Sequence, residues 1–219
     1  MEIRLENLTK VFTTKRKGQV SNVVAVNNMN IEIPSGTLVG LLGPSGCGKS
    51  TTLYMLSGLQ KPTEGKIFFG EEDVTSVAPE KRGIGLVFQN YALYPHMTVL
   101  QNILFPLQNM KVEKEEALAR AKEAARLVQI DELLDRKPSE LSGGQQQRVA
   151  IARAIANKPK ILIADEPTGN LDSKTELEVM SLLKRCVKDF NQTLVMITHN
   201  EDIAKMADRV VVMKDGNLK

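Results

Sequence analysis

The sequence has no tryptophan, and aromatic residues make up only 4% of its 219 residues. A platform of aromatic side chains that stack on single-stranded nucleic acid is therefore not expected. Charge of one sign is also scarce, since 29 lysines and arginines against 26 aspartates and glutamates leave a net charge of +3. The only basic run, Lys15–Lys17, lies in a polar stretch that is typical of a solvated loop. We therefore expect no nucleic-acid partner.

Cysteine and long apolar runs are scarce too. Cys47 and Cys186 have neither metal-ligand spacing nor the pattern of a disulfide framework, which fits a reducing compartment. No apolar stretch approaches the ~18 residues that a membrane span needs. The first residues lack the apolar core of a signal peptide, so we expect the protein to stay where it is made. The length favours one domain with a full core.

The most informative stretch is Gly43–Thr51, which fits the pattern G-x-x-x-x-G-K-[ST]. The apolar run Thr37–Leu42 before it predicts a buried strand, and Ser50–Leu59 after it predicts a helix. Glycines let backbone N–H groups turn inward around phosphate oxygens, and the helix N-terminus adds partial positive charge. The loop therefore predicts binding of a nucleoside triphosphate. The residues predicted to surround the phosphates are Gly43, Ser45, Gly46, Cys47, Gly48, Lys49, Ser50 and Thr51.

Within this loop, three side chains have predicted roles. Lys49 would reach the β- and γ-phosphates, Ser50 would ligate Mg²⁺, and Thr51 would contact the α-phosphate. Phe12 precedes the loop and is interpreted as stacking on the adenine ring. A lone aromatic residue is more often part of the core, and that alternative stays open at this point.

A second stretch, Ile161–Glu166, is a short apolar run that ends in two adjacent carboxylates. In a phosphate-loop enzyme Asp165 can hold Mg²⁺, directly or through water, and Glu166 can orient or deprotonate the attacking water. The apolar run Thr193–Thr198 ends similarly at His199. Open α/β sheets bind ligands at the carboxyl ends of their strands, so a functional role is favoured for this histidine.

The remaining patterns indicate how the chain is arranged. Ile3–Leu8 and Met29–Ile33 alternate apolar and polar residues, as half-buried antiparallel strands do, and Thr13–Asn22 is predicted as a loop between them. Helical periodicity runs from Thr98 to Arg126, with a break near Pro106, and again from Gly144 to Ala156. These patterns predict an α/β fold in which a mostly helical insertion separates two strands of the core.

Several motifs now point to a family. Leu141-Ser-Gly-Gly-Gln145 resembles the signature motif of ABC-type ATPases and lies shortly before the Asp165 strand, as it does in that family. The other family motifs also occur, in the order that the family has them. They are Walker A at Gly43–Thr51, the Q-loop at Gln89, Walker B with the catalytic glutamate at Ile161–Glu166, the D-loop at Leu171–Asp172 and the H-loop at His199. Phe12 stands where the A-loop usually has tyrosine, and Gly169-Asn170 where many members have Ser-Ala.

The resemblance implies a phosphate-loop (RecA-like) core with an N-terminal antiparallel β subdomain and a helical signature-motif subdomain. Residues 1–219 would form a single ABC ATPase domain, with the helical subdomain at about 90–157 inserted in the core. It also implies a head-to-tail dimer of two ATPase subunits, in which two ATP molecules lie between the Walker A motif of one subunit and the signature of the other. The signature residues implied to contact this ATP are Ser142, Gly143, Gly144 and Gln145.

The resemblance also assigns roles to single residues. Glu166 would polarise the water, His199 would hold the γ-phosphate, and Gln89 would contact Mg²⁺ and the water. Asp172 would act across the dimer interface. The cofactors implied are ATP and Mg²⁺.

Transport is the function that the resemblance favours. The apolar and aromatic stretch Asn90–Thr98 follows Gln89, and an integral membrane permease subunit is expected to dock near residues 89–98. The protein would then lie at the cytoplasmic face of the plasma membrane, peripheral through its permease. Alternatives are a soluble ABC ATPase of DNA repair or translation, and a regulator that transmits force to a membrane complex. The simpler interpretation of the aromatic stretch is packing inside the helical subdomain.

Two subfamily signals conflict. The phosphate loop and Tyr91–Thr98 resemble the ATPases of sugar and polyamine importers, which usually carry an added C-terminal regulatory domain. Glu166–Asp172 and the short length are similar instead to the lipoprotein-releasing and macrolide-exporter group. On length, the exporter or lipoprotein-releasing type is slightly favoured.

Overall fold

The computed structural model describes residues 1–16 and 19–219. Its strands are β1 (Ile3–Arg16), β2 (Gln19–Ile33), β3 (Leu38–Leu42), β4 (Glu64–Phe69), β5 (Glu72–Asp73), β6 (Ile84–Val87), β7 (Ile161–Asp165), β8 (Thr193–Thr198), β9 (Arg209–Lys214) and β10 (Asn217–Leu218). Its α-helices are α1 (Lys49–Leu56), α2 (Val99–Asn109), α3 (Lys114–Leu127), α4 (Gly143–Ile155), α5 (Ser173–Phe190) and α6 (Glu201–Ala204). None of the helices described is both long and apolar enough to cross a membrane.

The strands form two sheets. A four-stranded antiparallel sheet has the order β2-β1-β4-β5, and a six-stranded sheet has the order β10-β9-β3-β8-β7-β6. In the second sheet the neighbours from β9 to β6 are parallel, and β10 is an antiparallel edge strand. Helices α2, α3 and α4 follow one another between β6 and β7 and pack together. The predicted α/β fold is confirmed, whereas the exact limits of the helical subdomain stay a prediction.

The central strands are buried on both faces, which explains why they are continuous apolar runs. In β7, Leu162 and Ala164 pack in the cluster formed with the helices, and Ile161 and Ile163 pack in the cluster formed with α1 and the antiparallel sheet. Burial of a leucine or isoleucine side chain contributes about 1.5–3 kcal/mol to stability. The two clusters pack against opposite faces of β7 and so fix where this strand ends at the edge of the sheet.

All four predicted catalytic stretches lie at the carboxyl ends of these parallel strands. The phosphate loop follows β3, Gln89 follows β6, Glu166 follows β7 and His199 follows β8. Because carboxyl ends of parallel strands meet at one edge of the sheet, residues far apart in sequence are brought to one place.

Two local predictions are wrong. The stretch predicted as a loop, Thr13–Asn22, is largely paired strand, with Thr13 opposite Asn22 and Arg16 opposite Gln19. Residues 17 and 18 lie outside the described residues. The polar residues misled the prediction, because Thr13, Thr14, Ser21 and Asn22 are exposed and give no alternation of buried and exposed positions in the sequence. Pro106 lies inside α2, and the helical run is interrupted only after Asn109.

A buried arginine holds the C-terminal end of α1. Arg82 is 7% exposed, and its guanidinium donates hydrogen bonds to the carbonyl oxygens of Met55 and Leu56, each at 2.8 Å. It also donates to the carbonyl oxygen of Val77 at 2.9 Å. Burial lowers the pKa of Arg82, and the partial negative charge of the helix C-terminus partly offsets that burial. The side chain therefore fixes α1 to the segment that leads to β6.

Candidate nucleotide-binding and catalytic site

The phosphate loop begins where β3 ends and passes directly into α1. Gly46 and Gly48 have φ of +79° and +103°, a conformation that residues with a Cβ seldom adopt. A Cβ on Gly48 would collide with the carbonyl oxygen of Ala25 in β2, whereas a Cβ on Gly46 would meet nothing within 4 Å. The loop is thus closed on its protein side and open beside Gly46, as a phosphate cradle needs.

Backbone N–H groups at the start of α1 lack protein acceptors. The N-cap residue is Gly48, which has no side chain that could cap the helix. In the described part of the chain, the backbone N–H groups of Gly46, Gly48, Lys49, Ser50 and Thr51 donate no hydrogen bond. The helix dipole adds positive partial charge to these donors. The loop therefore fits the phosphates of a nucleotide.

The ammonium group of Lys49 lies inside this loop. Lys49 is 5% exposed, and Nζ donates to the carbonyl oxygens of Gly43 at 2.7 Å and Pro44 at 2.9 Å. The buried thiol sulfur of Cys47 lies 3.9 Å from Nζ. Both carbonyl acceptors are neutral, so the positive charge remains available for an anionic group.

Ser50 and Asp165 bring two oxygen ligands close together. Oγ of Ser50 lies 3.5 Å from Oδ1 of Asp165, and the hydroxyl of Tyr54 lies 3.4 Å from Oδ2. Burial, and then the neighbouring Glu166, raise the pKa of the Asp165 carboxyl group. Hard oxygen atoms of this kind suit Mg²⁺. Across residues 1–16 and 19–219 there is no cluster of three or more His, Cys, Asp or Glu side chains that could hold a metal, so further ligands would be nucleotide oxygens and water.

The three predicted catalytic side chains form one cluster. Nδ1 of His199 lies 3.0 Å from Oε1 of Glu166, and Nε2 of Gln89 donates to Oε2 of Glu166 at 3.2 Å. Glu166 has a φ of +45°, uncommon for a residue with a Cβ, and its N–H donates to the carbonyl oxygen of Ile197 in β8. Its carboxylate is therefore held from both sides. The predicted contact of Gln89 with Mg²⁺ stays a prediction.

The signature motif forms the start of α4. Ser142 is the N-cap residue: its Oγ accepts from the N–H of Gln145 at 3.3 Å, and Oε1 of Gln145 accepts from the N–H of Ser142 at 3.0 Å. A Cβ on Gly144 would lie 2.6 Å from Cγ2 of Thr175, so glycine permits the close approach of α5. The prediction that Ser142 and its glycines open a helix is confirmed.

The signature motif and the D-loop line one surface pocket of about 300 Å³. Asp172 is the N-cap residue of α5, where Oδ1 accepts from the N–H of Thr175 at 3.1 Å and Oδ2 accepts from its hydroxyl at 2.7 Å. These hydrogen bonds lower the pKa of Asp172. Among the described residues, no hydrogen bond or ion pair joins the signature to the phosphate loop. Because it caps α5, Asp172 has a structural role within its own chain.

Phe12 lies in β1 opposite Val23, and it is partly exposed. The ammonium group of Lys10 lies 5.2 Å from the centroid of its ring. An exposed ring face suits stacking on a base, and the adenine contact stays a prediction.

Two polar side chains touch the site without having been predicted from the sequence. Tyr54 contacts Asp165, as described above, and Nδ2 of Asn170 donates to the carbonyl oxygen of Gln89 at 3.0 Å. Tyr54 follows Ser50 at the i, i+4 spacing that places side chains on one face of a helix, and this spacing is the signal that could have identified it. Asn170 lies in a turn, where no periodicity indicates the direction of a side chain.

A sequence model of the family described as ABC transporter matches residues 26–169. That range holds the phosphate loop, the signature and the adjacent carboxylates Asp165 and Glu166. The chain belongs to the ABC transporter family. Its membership confirms the predicted enzyme class, a Mg²⁺-dependent ATPase, and the predicted cofactors, ATP and Mg²⁺.

Curated members of the ABC transporter family resemble the chain over its whole length. The spermidine/putrescine import ATP-binding protein PotA of Haemophilus influenzae is 43% identical over 219 residues, which are 100% of this chain and 59% of that protein. The trehalose/maltose import ATP-binding protein MalK of Thermococcus litoralis is 44% identical over 224 residues, covering 99% of this chain and 58% of that protein. The chain thus spans about three fifths of the length of these relatives. Both are import proteins, so the expectation of an exporter or lipoprotein-releasing type is not supported.

Solved structures of ABC cassettes resemble the fold. A dimeric structure of MJ0796, a bacterial ABC transporter cassette, has a TM-score of 0.87 and 39% identity, and covers 99% of this chain and 96% of that chain. A dimeric structure of the same cassette in a post-hydrolysis state with ADP and Pi also has a TM-score of 0.87, with 36% identity over the same shares of the two chains. The predicted ABC ATPase fold is confirmed.

Proposed function

We propose that the chain is the ATP-binding subunit of a membrane importer, bound through a permease at the cytoplasmic face of the plasma membrane. The observation that carries the ATPase part is the cluster of Glu166, His199 and Gln89 at the strand ends that also present the phosphate loop. The import direction is supported by the names of the relatives PotA and MalK.

The site residues divide the chemistry between them. Lys49 and the N–H groups of the phosphate loop bind the phosphates, and Ser50 and Asp165 hold Mg²⁺. When bound, Mg²⁺ neutralises charge on the phosphate oxygens. Glu166 accepts a proton from the attacking water or orients it.

The two other residues of the cluster position this carboxylate. Gln89 fixes Oε2 of Glu166 and orients the water, while His199 fixes Oε1 and holds the γ-phosphate. With both oxygens contacted, the carboxylate has little rotational freedom, which favours one productive geometry for the water.

We further propose that ATP closes a head-to-tail dimer. The signature and the D-loop line a pocket, and in the described part of the chain the N–H groups of Gly143 and Gly144 donate no hydrogen bond. A nucleotide bound to a second subunit would complete its coordination there. The dimeric structure of the cassette MJ0796 supports this assembly.

Glu166→Gln tests the ATPase chemistry. The amide keeps the size of the side chain but cannot accept a proton, so ATP affinity should stay within about twofold while kcat falls by about 100-fold or more. Because the bound ATP is not hydrolysed, the ATP-dependent dimer should also accumulate. Turnover by phosphate release, ATP affinity by calorimetry and dimer by size-exclusion chromatography measure the three effects.

Glu71→Gln is the matched control, because Glu71 is exposed in the turn between β4 and β5. It should behave as the wild type in all three assays. Hydrolysis at the wild-type rate by Glu166→Gln would remove Glu166 from the assigned role.

The permease is proposed to dock in a groove of about 380 Å³, which is also lined by residues outside the predicted stretch 89–98. Tyr94 and Phe105 line it with ring centroids 4.6 Å apart, and Phe88, Pro106 and Met110 add apolar surface. His96 and Met97, from the same predicted stretch, line a separate small pocket instead. An apolar helix from a membrane subunit fits such a groove.

Phe105→Asp tests the docking groove. A carboxylate placed in the apolar groove should abolish capture of the permease, whereas ATP affinity and the ATP-dependent dimer should be unchanged. Phe190→Asp is the control, since Phe190 is 43% exposed on α5 outside the groove. Equal loss of capture in both variants would contradict the groove.

A pull-down tests the direction of transport. Tagged Glu166→Gln protein with Mg-ATP is incubated with detergent-solubilised membranes of the source cells, and the partners are identified. A permease with an extracellular solute-binding protein would support import. A permease with a large extracytoplasmic domain and no binding protein would contradict import, and recovery of nucleic acid or ribosomes would contradict transport altogether.

A further inference from the structure

The segment between Gln89 and α2 has an unusual backbone. Tyr91 and Ala92 are consecutive residues with φ of +61° and +48°. Residues with a Cβ seldom adopt this left-handed conformation singly, and two in succession need contacts from elsewhere to hold them. The segment also has no strand or helix to satisfy its carbonyl groups.

Arg153, in the last turn of α4, supplies those contacts. Nη1 donates to the carbonyl oxygen of Ala92 at 2.6 Å, and Nη2 donates to that of Tyr91 at 2.9 Å. The guanidinium lies 5.9 Å from the centroid of the Tyr94 ring. Such planar, charge-assisted hydrogen bonds fix direction as well as distance. Arg153 is half-buried, and this burial lowers the pKa of its guanidinium.

The segment is anchored at its two ends by different parts of the molecule. At the start, the carbonyl oxygen of Gln89 accepts from Asn170, and its side chain contacts Glu166. At the end, the buried Asn102 of α2 accepts from the N–H of Tyr94 at 2.8 Å and donates to its carbonyl oxygen at 3.1 Å. Arg153 holds the middle and joins the segment to the signature helix.

A second contact joins the segment to the other end of α4. A Cβ on Gly143, the first residue of the helix, would lie 3.1 Å from the hydroxyl oxygen of Tyr91. The side chain of Tyr91 therefore reaches the signature while its carbonyl group is held by Arg153, near the end of the same helix. A shift of α4 would move this part of the segment with it.

We propose that Arg153 is a positioning residue that ties the backbone of Tyr91 and Ala92 to α4 and thereby sets where Gln89 meets Glu166. The assignment rests on the proposed function, in which Gln89 orients the water. Arg153 also lines the proposed docking groove, together with Ala92 and Tyr94. One side chain then connects the groove, the signature helix and the catalytic cluster.

Arg153→Ala and Arg153→Lys test the proposal in the complete chain. Alanine removes both hydrogen bonds, and kcat should fall by about tenfold while KM and the Kd of Mg-ATP change by less than about twofold. Amide exchange in residues 90–94 should rise by about tenfold, with no change in residues 43–51. Lysine keeps the charge but lacks the planar pair of donors that contacts both carbonyl groups, so it should restore only part of kcat and of the exchange protection.

Arg185→Ala is the matched control, because Arg185 is an exposed arginine on α5. It should match the wild type in kcat and in exchange. Unchanged kcat and unchanged exchange in Arg153→Ala, with only a lower melting temperature, would overturn the proposal. An equal loss of nucleotide affinity and kcat would overturn it too, since a general loss of structure would then explain both. Should the alanine variant not fold, the lysine variant carries the same comparison.

Failure of the proposed function would look different. It would appear as hydrolysis that does not depend on Glu166, in a protein whose Arg153 is intact. Amide exchange at residues 90–94 needs no turnover, so it reports on the Arg153 contact in either case.

Discussion

Among the described residues, two helix N-termini contain glycine, and their backbone N–H groups are capped in different ways. The start of α1 has a glycine N-cap, no side-chain cap and a buried lysine. The start of α4 has a serine N-cap with a reciprocal capping box from Gln145. The N–H groups at the start of α1 need an anion as acceptor. The start of α4 is stabilised by its own side chains, and only its first backbone N–H groups are left for a ligand. In the proposed function, the phosphate loop would bind the nucleotide and the signature would add contacts to the nucleotide of a second subunit.

Among the variants proposed here, removal of Lys49 should have the largest effect, because it weakens nucleotide binding at the start of α1. Lys49→Ala leaves α1 without its buried cation, so the Kd for Mg-ATP should rise by about 100-fold, or about 2.7 kcal/mol. Calorimetry on the isolated cassette measures the change. Lys184→Ala, an exposed lysine on α5, serves as the control and should leave the Kd unchanged. Normal affinity in Lys49→Ala would count against the phosphate-loop assignment.

A methyl group at the signature should lower stability and dimer formation while the single chain keeps its affinity for ATP. In Gly144→Ala the new Cβ meets Cγ2 of Thr175, and this overpacking should lower the free energy of unfolding by about 1–2 kcal/mol net of the gain in helix propensity. The Kd of the single chain for ATP should stay within about twofold, while the ATP-dependent dimer is lost. Urea unfolding and size-exclusion chromatography measure these effects.

Thr175→Ser gives an internal check on that result. Serine removes Cγ2 but keeps the hydroxyl group that donates to Asp172. Combined with Gly144→Ala, it should restore most of the lost stability. If stability stays low in the double variant, the Cβ contact is not the cause.

The smallest expected effect concerns the two aspartates beside these helix ends. Burial and Glu166 raise the pKa of Asp165, so its ionised form is unfavourable in the folded protein. This penalty is complete above the folded pKa and disappears as the pH falls to the unfolded pKa. Without Mg²⁺, Asp165→Asn should therefore be more stable than the wild type at pH 7, by up to about 1 kcal/mol, although it should lose Mg²⁺-dependent hydrolysis.

Asp172→Asn should show the reverse pH dependence. Hydrogen bonds from Thr175 lower the pKa of Asp172, so the wild type gains stability above the unfolded pKa and loses it as the pH falls through the folded pKa. Urea titrations of both variants across acidic pH compare the two signs. The same sign for both would contradict the contrast between the two ends.

The catalytic cluster could be predicted from the sequence because its residues end apolar runs. A continuous apolar run predicts a strand buried on both faces, and the polar residue that follows must then lie at the carboxyl edge of the sheet. Glu166 and His199 were located in this way, and their 3.0 Å contact is what a shared edge produces.

Arg153 and Arg82 could not be predicted in the same way. Both donate to backbone carbonyl groups, and a carbonyl group carries no signal in the sequence. The outer part of the hairpin of β1 and β2 was missed for a related reason, because its pairs Thr13–Asn22 and Thr14–Ser21 are polar and exposed. The transport direction was predicted from length, which has no physical link to the site.

The contacts of Arg82 have a consequence for how α1 works as an electrostatic element. The helix has a permanent counter-ion at its negative end, since Arg82 is buried against the carbonyl oxygens of Met55 and Leu56. At its positive end the counter-ion in the proposed function is the phosphate of the substrate, which is exchangeable. Each cycle of hydrolysis would then replace one of the two counter-ions of α1 while the other holds the helix in place.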